Sequence, residues 1–304
     1  MDRLRTMSIF AHVAEEGGFA RAARRLNMSP PSVTRAVSEL EARLGARLLH
    51  RTTRALRLTE AGDRYLADCR RILADVAEAD RQAAGRHAAP SGRVTVSASV
   101  LFGRMMVAPV LLDLLDRYPD ITVSAVFVDR VVHLMEEPVD IAVRIAELPD
   151  SALPAIRVGA VRRVLCASPA YLAAHGRPRT LADLADHETV DFVNLSRGGD
   201  WTFGDGAAAQ RVRPRARFLV NSADAAIAAA ESGRGITRVL SYMIAPARRA
   251  GTLETVLDDL APPAVPIHVL HKEPGQTSAR VRAVVDFLVD RLRRSMASEP
   301  IDPP

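Results

Sequence analysis

Apolar positions in the first 60 residues recur at helical spacing in three short blocks. Leu4, Met7, Phe10, Ala11 and Ala14 mark the packing face of a first helix. Phe19, Ala22, Ala23 and Leu26, at i, i+3, i+4 and i+7, mark a second. Val33, Val37, Leu40 and Leu44 mark a third. Asn27 and Met28 interrupt the pattern between the last two. Ser29 is a good N-cap there, and Pro30 and Pro31 fall at N1 and N2, where an amide has no intrahelical partner. Gly45 can end the third helix. Leu48 and Leu49, then Ala55, Leu56 and Leu58, predict two short strands with Arg51, Thr52, Thr53 and Arg54 at the tip between them. Thr59 can cap a long helix reaching about His87, with Leu66, Cys69, Leu73 and Val76 on one stripe.

The pattern changes after residue 92. Val94, Val96 and Ala98 alternate as in a strand, and 105–118 reads as a helix that Pro119 stops. Residues 121–127 predict a strand, 130–137 a short helix and 140–145 a strand. This β-α-β-α-β order implies a mostly parallel sheet. A looser repeat follows from about residue 162: strand 164–167, helix 169–175, helical turn 181–185, strand 218–220, helix 223–231, strand 236–240 and helix 243–250. A late strand at 266–270 and a helix at 281–292 close the chain. The expected fold is α/β: an N-terminal winged helix-turn-helix, a long linker helix, and two α/β lobes between which the chain crosses more than once. The expected boundaries are 1–59 for the first unit, 60–90 for linker helix and hinge, 91–161 for lobe one, 162–265 for lobe two, 266–296 for a return to lobe one, and 297–304 for a flexible tail.

The polar face of the third helix changes the picture. Pro31, Ser32, Thr34, Arg35 and Ser38 point away from its apolar stripe. They are compact and neutral or positive, so the helix can approach a surface closely. Two helices joined by a short turn can be a packed hairpin or a helix-turn-helix whose second member enters the major groove. Charge favours the second reading. Residues 1–57 hold eleven arginines against five acids, a net +6, and the other 247 residues sum to −1. A polyanion partner for the N-terminus follows. The basic tip of the hairpin suits a phosphate backbone or minor groove.

Cys69 and Cys166 lie in different predicted units, and both are expected reduced. The first residues are charged throughout and lack an apolar leader core, so a cytoplasmic location is expected. No run approaches the roughly 20 apolar residues of a membrane span. The eight histidines are scattered, and the His268/His271 pair has no metal-ligand spacing beside it. Gly233-Arg234-Gly235 follows a helix and precedes a strand, the reverse of a dinucleotide turn. No catalytic residue, metal or cofactor is expected.

The stretch FARAARRLNMSPPSVTRAVSELEARLGARLLHRTTRALRLTEAG resembles the reading head of the LysR-type transcriptional regulators. The resemblance continues in VDIAVRI at 139–145, LCASPAYLAAHG at 165–176, VNSADAAIAAAESGRGI at 220–236 and VRAVVDFL at 281–288. It implies a winged helix-turn-helix, a linker helix that makes a homodimer, tetramers built as dimers of dimers, and an effector domain of two lobes. It implies binding to promoter DNA and a transcriptional response to a small metabolite, often an anion; an activator would also meet RNA polymerase. Gly17-Gly18 replaces the family's frequent Gly-Ser, Glu137-Pro138-Val139 replaces a more usual glycine before Asp140, and LHKEPGQTSAR lacks the aromatic often found after the late strand.

Base reading is assigned to Ser32, Thr34, Arg35 and Ser38, with close approach by Pro30 and Pro31. Phosphate positioning is assigned to Arg51, Thr52, Thr53 and Arg54. Leu66, Cys69, Leu73 and Val76 are expected to form the dimer seam, the other reading being packing within their own unit. For the effector, Ser99 sits just beyond the first strand of lobe one, and Val100 and Phe102 start the next helix, whose amides would favour an anion. Phe127 and Asp129 end the second strand, and Trp201, Phe203 and Asn221 would close over the ligand from lobe two. Trp201 as core and Asn221 as a helix cap stay open as alternatives. The competing function is an architectural or constitutive DNA-binding protein that senses nothing.

Overall fold

The computed structural model describes residues 2–51, 56–83, 89–148, 153–195, 199–204, 209–272 and 278–298. The chain divides into two compact units, Met1–Arg93 and Val94–Pro304.

The first unit begins with α1 (Arg3–Glu16), α2 (Phe19–Arg25) and α3 (Pro30–Leu44). Asp2 caps α1 by accepting from the Leu4 amide, and Ser29 caps α3 by accepting from Ser32. Gly17 and Gly45 end α1 and α3 in the left-handed region, at φ 60° and 65°. Strands β1 (Leu49–Arg51) and β2 (Leu56–Leu58) form an antiparallel wing in which Leu49 faces Leu58 and Arg51 faces Leu56. Helix α4 (Glu60–Ala83) follows, with the Thr59 hydroxyl accepting the Gly62 amide at 2.9 Å. Gly62 is required there: a Cβ would sit 1.9 Å from the Leu48 carbonyl oxygen.

The core of this unit joins Met7, Phe10, Ala22, Ala23, Val33, Val37, Leu40, Leu48 and Leu49. Leu66 and Cys69 belong to the same core, at 5% and 0% exposure. They are therefore not available for a seam with a second copy. Helix α4 packs on α1, and Arg70 reaches Glu15 at 3.1 Å. Leu73 and Val76 lie further along and remain half-exposed. Leu44, expected inside, is exposed at the last residue of α3, where the chain turns away at Gly45.

The second unit holds two five-stranded sheets. In lobe one the order is β4 (Ile121–Phe127), β3 (Gly92–Ala98), β5 (Ile141–Ile145), β14 (Val265–His271), β6 (Ala155–Val161). In lobe two it is β11 (Ala216–Val220), β8 (Thr189–Phe192), β12 (Ile236–Leu240), β7 (Arg163–Ala167), β13 (Glu254–Val256). The chain enters lobe two between β6 and β7 and returns between β13 and β14. Both sheets are mixed. Strand β3 runs parallel to β5, but β14 is antiparallel to β5 and β6, and β12 and β13 are antiparallel to β7. Chain crossings reverse direction without a covering helix, so the all-parallel βαβ pattern stops at them.

One continuous helical run follows β3: α5 (Val100–Phe102), a π-turn over Gly103–Val107, and α6 (Ala108–Arg117). A short hairpin pairs β9 (Trp201–Phe203) with β10 (Gln210–Val212). Helices α7 (Pro169–His175) and α8 (Ala223–Glu231) have serine caps, Ser168 and Ser222. Helix α9 (Ala245–Arg249) follows a 3₁₀ turn, and α10 (Ala279–Ser298) covers the lobe-one sheet with Val281, Val284, Val285, Leu288 and Leu292 inward. The helix expected at 130–137 does not form. Arg130 makes two bonds to Glu137, and Glu137 also accepts the His133 amide, so the stretch closes into turns ahead of Pro138.

Candidate DNA-reading surface and ligand cleft

On α3, Val33, Ala36, Val37 and Leu40 are buried, and Pro30, Pro31, Arg35 and Ser38 are exposed on the other side. Ser32 and Thr34 are half-buried on that side. Their hydroxyls are held locally: Ser32 pairs with Ser29 at 2.8 Å, and Thr34 donates to the Pro30 carbonyl at 3.0 Å. Arg35 Nε donates to Glu39 Oε1 at 2.9 Å, with the arginine side chain 80% exposed. An exposed pair of this kind is worth roughly 0–1 kcal/mol, so a phosphate or base edge can take the guanidinium over.

The wing is tied to α3 by Glu41, whose Oε1 accepts the amides of Leu48 at 2.8 Å and Leu49 at 3.1 Å. The Thr59 hydroxyl also donates to the Arg47 carbonyl at 2.7 Å. Glu41 thus positions the wing relative to the reading helix. Sequence reasoning did not assign it a role, because a glutamate on a helix reads as solvated. Of the wing residues, Arg51 is paired through its backbone in β1, and Thr52, Thr53 and Arg54 lie outside the described residues.

In the second unit a cavity of about 490 Å³ lies between the lobes. Val100, Leu101, Phe127, Val128, Asp129 and Arg130 line it from lobe one. Asn194, Asn221, Ser222, Ala223 and Asp224 line it from lobe two. The starts of two helices, the one at Val100 and α8, therefore meet across it. Of the residues expected at an effector, Val100, Phe127, Asp129 and Asn221 line the cavity. Ser99 is half-buried just behind it, beside the Tyr242 hydroxyl, whose ionisation burial pushes up and the Ser99 hydroxyl pulls down.

Three of the expected residues are elsewhere. Phe102 is fully buried and meets the Tyr242 ring edge-on at 5.2 Å. Its position, two residues into a helix, turns it toward the sheet. Trp201 and Phe203 are in the core of lobe two. Trp201 Nε1 donates to Asp191 at 3.0 Å, and the Arg238 guanidinium stands 5.5 Å from its ring. Burial beside Arg163 brings Arg238 down to about 10. The core reading of Trp201 is the one the structure gives.

The amide of Val100, expected to face an effector anion, donates to Asp129 Oδ1 at 2.9 Å. Arg104 on the π-turn bridges the lobes to Asp224 at 2.7 Å. Gly103 makes room for Phe127: a Cβ there would fall 2.4 Å from the ring. Asn194 donates to the Asn221 carbonyl at 3.3 Å. Ser222, Asp224 and Asn194 were missed in the sequence. The Asn-Ser-Ala-Asp run ahead of an alanine-rich helix is the signal that marks the first two as a second capped helix start. Among the described residues no three metal-ligating side chains gather, and no helix is long and apolar enough to cross a membrane. Both cysteines are free and buried, with burial pushing Cys69 to about 11 and Cys166 to about 12.

A basic winged unit with a small-residue reading face, joined to two lobes around a cleft, defines a ligand-responsive DNA-binding protein. Residues 4–63 match the family model described as "Bacterial regulatory helix-turn-helix protein, lysR family", and residues 87–293 match "LysR substrate binding domain". The chain belongs to the LysR family of transcriptional regulators. It is 31% identical over 290 residues to the HTH-type transcriptional activator AaeR of Escherichia coli (strain K12), covering 95% of this chain and 94% of the relative. It is 32% identical over 291 residues to the HTH-type transcriptional regulator CrgA of Neisseria meningitidis serogroup B, covering 95% and 97%. The solved structure of CrgA matches at a TM-score of 0.61 with 32% identity over 96% of this chain and 99% of the other. The full-length Vibrio cholerae virulence activator AphB matches at 0.59 with 27% identity over 95% and 99%. The chain is thus a DNA-binding transcriptional regulator whose larger part is an effector-binding domain of this family, and not an enzyme.

Proposed function

We propose that this chain binds promoter DNA as a homodimer, assembling further to a tetramer, and changes transcription when a small molecule enters the cleft between its lobes. The observation that carries this is the face of α3, where Pro30, Pro31, Ser32, Thr34, Arg35 and Ser38 lie opposite a fully buried stripe. A helix so built can sit deep in a major groove. Arg35 reads a guanine or clamps a phosphate, and the hydroxyls of Ser32, Thr34 and Ser38 reach neighbouring edges. The wing, held by Glu41, adds phosphate contacts from Arg51, Thr52, Thr53 and Arg54. The units assigned to these jobs are 1–59 for reading, 60–90 for pairing, and 91–296 for sensing. Within α4, Leu73 and Val76 carry the pairing, since Leu66 and Cys69 are used by the unit's own core. Were the chain an activator, RNA polymerase would be a further partner.

The test is capture of genomic fragments by the full-length protein, followed by titration of wild type and Arg35→Ala on the captured site at one salt concentration. Selective capture with loss of discrimination in the variant supports the reading. Capture without sequence preference favours an architectural role instead.

A further inference from the structure

The interlobe cavity carries an imbalance of charge. Three charged side chains line it: Asp129, Arg130 and Asp224. Two are neutralised by neighbours. Arg130 makes a doubly bonded pair with Glu137 at 2.7 and 2.6 Å, and Asp224 meets Arg104 at 2.7 Å. Asp129 differs. Among the described residues it pairs with no cation; its bonded partner is the amide of Val100, at 2.9 Å. The start of a helix carries about half a positive charge, spread over its first amides. A full carboxylate charge placed on that start outweighs it. The second helix start facing the cavity, that of α8, has Asp224 in its own first turn and a serine cap. Neither is left as an open anion seat.

The rest of the lining is apolar or carboxamide apart from Ser222, whose hydroxyl accepts the Ala225 amide. The ring of Phe127, seated against Gly103, stands with Val100, Leu101 and Val128 on one side, and Asn194 and Asn221 stand on the other. A volume of about 490 Å³ admits a molecule of one ring with a short side arm.

We propose that this cleft takes a small organic cation with an apolar body, its charged head against Asp129 and its body against Phe127, and that Asp129 excludes carboxylates from the helix start. The inference rests on the reading of the cleft as the effector site and names the chemical class it accepts. Asp129 is the specificity-determining residue. Gly103 positions Phe127, since any side chain at 103 would drive the ring away.

Three probes of one shape decide it: benzylammonium, benzyl alcohol and benzoate, titrated by ligand-observed NMR against the full-length protein without DNA. Asp129→Asn keeps an acceptor for the Val100 amide and removes the charge. Asn221→Trp fills the cavity from an exposed position. In the wild type benzylammonium should bind roughly tenfold tighter than benzoate, as expected for one unit charge a few ångströms away at partial solvent exposure. The preference should collapse in Asp129→Asn, and all binding should fall in Asn221→Trp. Benzoate binding as tightly as benzylammonium, or an order unchanged in Asp129→Asn, overturns the charge assignment and leaves the cleft as a ligand site. Absence of binding by any probe, or binding that persists in Asn221→Trp, overturns this inference and the cleft reading with it. Thermal unfolding of each variant near the wild-type temperature establishes that the changes are local.

Discussion

Arg35 and Glu39 are joined at 2.9 Å across one turn of α3, on the side of the helix that faces away from its core. The carboxylate therefore holds the guanidinium proposed to read DNA, and both side chains are substantially exposed. Binding must exchange this partner for a base edge or phosphate. Arg35→Ala should weaken specific binding by about 1–3 kcal/mol and relax sequence preference. Glu39→Gln should free the guanidinium and remove a charge that repels phosphate, raising affinity for specific and random DNA alike. Neither change should move the unfolding midpoint much, because exposed pairs add little stability. Titrations at one salt concentration check the first two effects. Unchanged affinity in Arg35→Ala would remove it from the interface.

Gly62 and the Leu48 carbonyl fix the base of the wing. A Cβ at 62 would lie 1.9 Å from that oxygen, and the opposing atom is backbone, so nothing flexible can yield. Gly62→Ala should destabilise the first unit by about 1–3 kcal/mol or more, in the manner of an overpacked core. Thermal or urea unfolding measures the loss. DNA affinity should fall further than stability alone explains, because the wing base moves with Leu48.

Much of this architecture is legible in the sequence, and the residues say why. Phe19 to Leu26 and Val33 to Leu40 show their helical period because each helix has one buried side. Ser29-Pro30-Pro31 marks the start of α3 because capping is local chemistry. Strands β6, β8, β9, β10 and β13 stayed hidden. Strand β6 includes Arg157 and Gly159, and β8 carries Asp191, whose burial depends on Trp201 ten residues away. Leu66 and Cys69 show the same limit: a stripe tells that a helix is covered, and not by which chain. The cleft was half-legible. Val100, Phe127, Asp129 and Asn221 follow from strand ends, but the bond from the Val100 amide to Asp129 spans 29 positions, so the occupation of that amide by a carboxylate has no local signal.

Leu73 is half-exposed on α4 and, unlike Leu66 and Cys69, lies outside the core of the first unit. Leu73→Asp should leave the fold of the monomer intact and abolish pairing, since a carboxylate would have to be desolvated in an apolar seam. Cys69→Asp should instead unfold the first unit, because Cys69 is fully buried in its core. Sedimentation at micromolar concentration and far-UV dichroism separate the two outcomes. A Leu73→Asp protein of native mass would place the dimer contact elsewhere.

Both thiols are raised by burial, Cys69 to about 11 and Cys166 to about 12. The thiolate is the reactive form, so neither should react with a disulfide reagent at pH 8 in the native protein. Two thiols per chain should appear in denaturant. Rapid native labelling of either would contradict the packing around it.

Glu137 supplies a pH dependence whose sign can be worked out. Its bond from Arg130 and the amide of His133 pull its carboxyl from the ordinary 4.5 down to about 2. In the unfolded chain the group takes up its proton at the ordinary value, so between these points the unfolded state holds more protons. Stability from the pair is then fully present above about pH 4.5 and is lost as the pH falls toward 2. His187 acts in a separate window. Burial lowers its folded value below the ordinary 6.5, so its contribution is present above 6.5 and declines as acid charges the unfolded imidazole first. Glu137→Gln removes only the lower window. The variant should be less stable than the wild type at pH 7, and the gap should close between pH 4.5 and the acid limit. Urea midpoints taken across that range for both proteins test it. A gap that stays constant with pH would mean that Arg130 and the His133 amide do not hold the Glu137 carboxyl below its ordinary value.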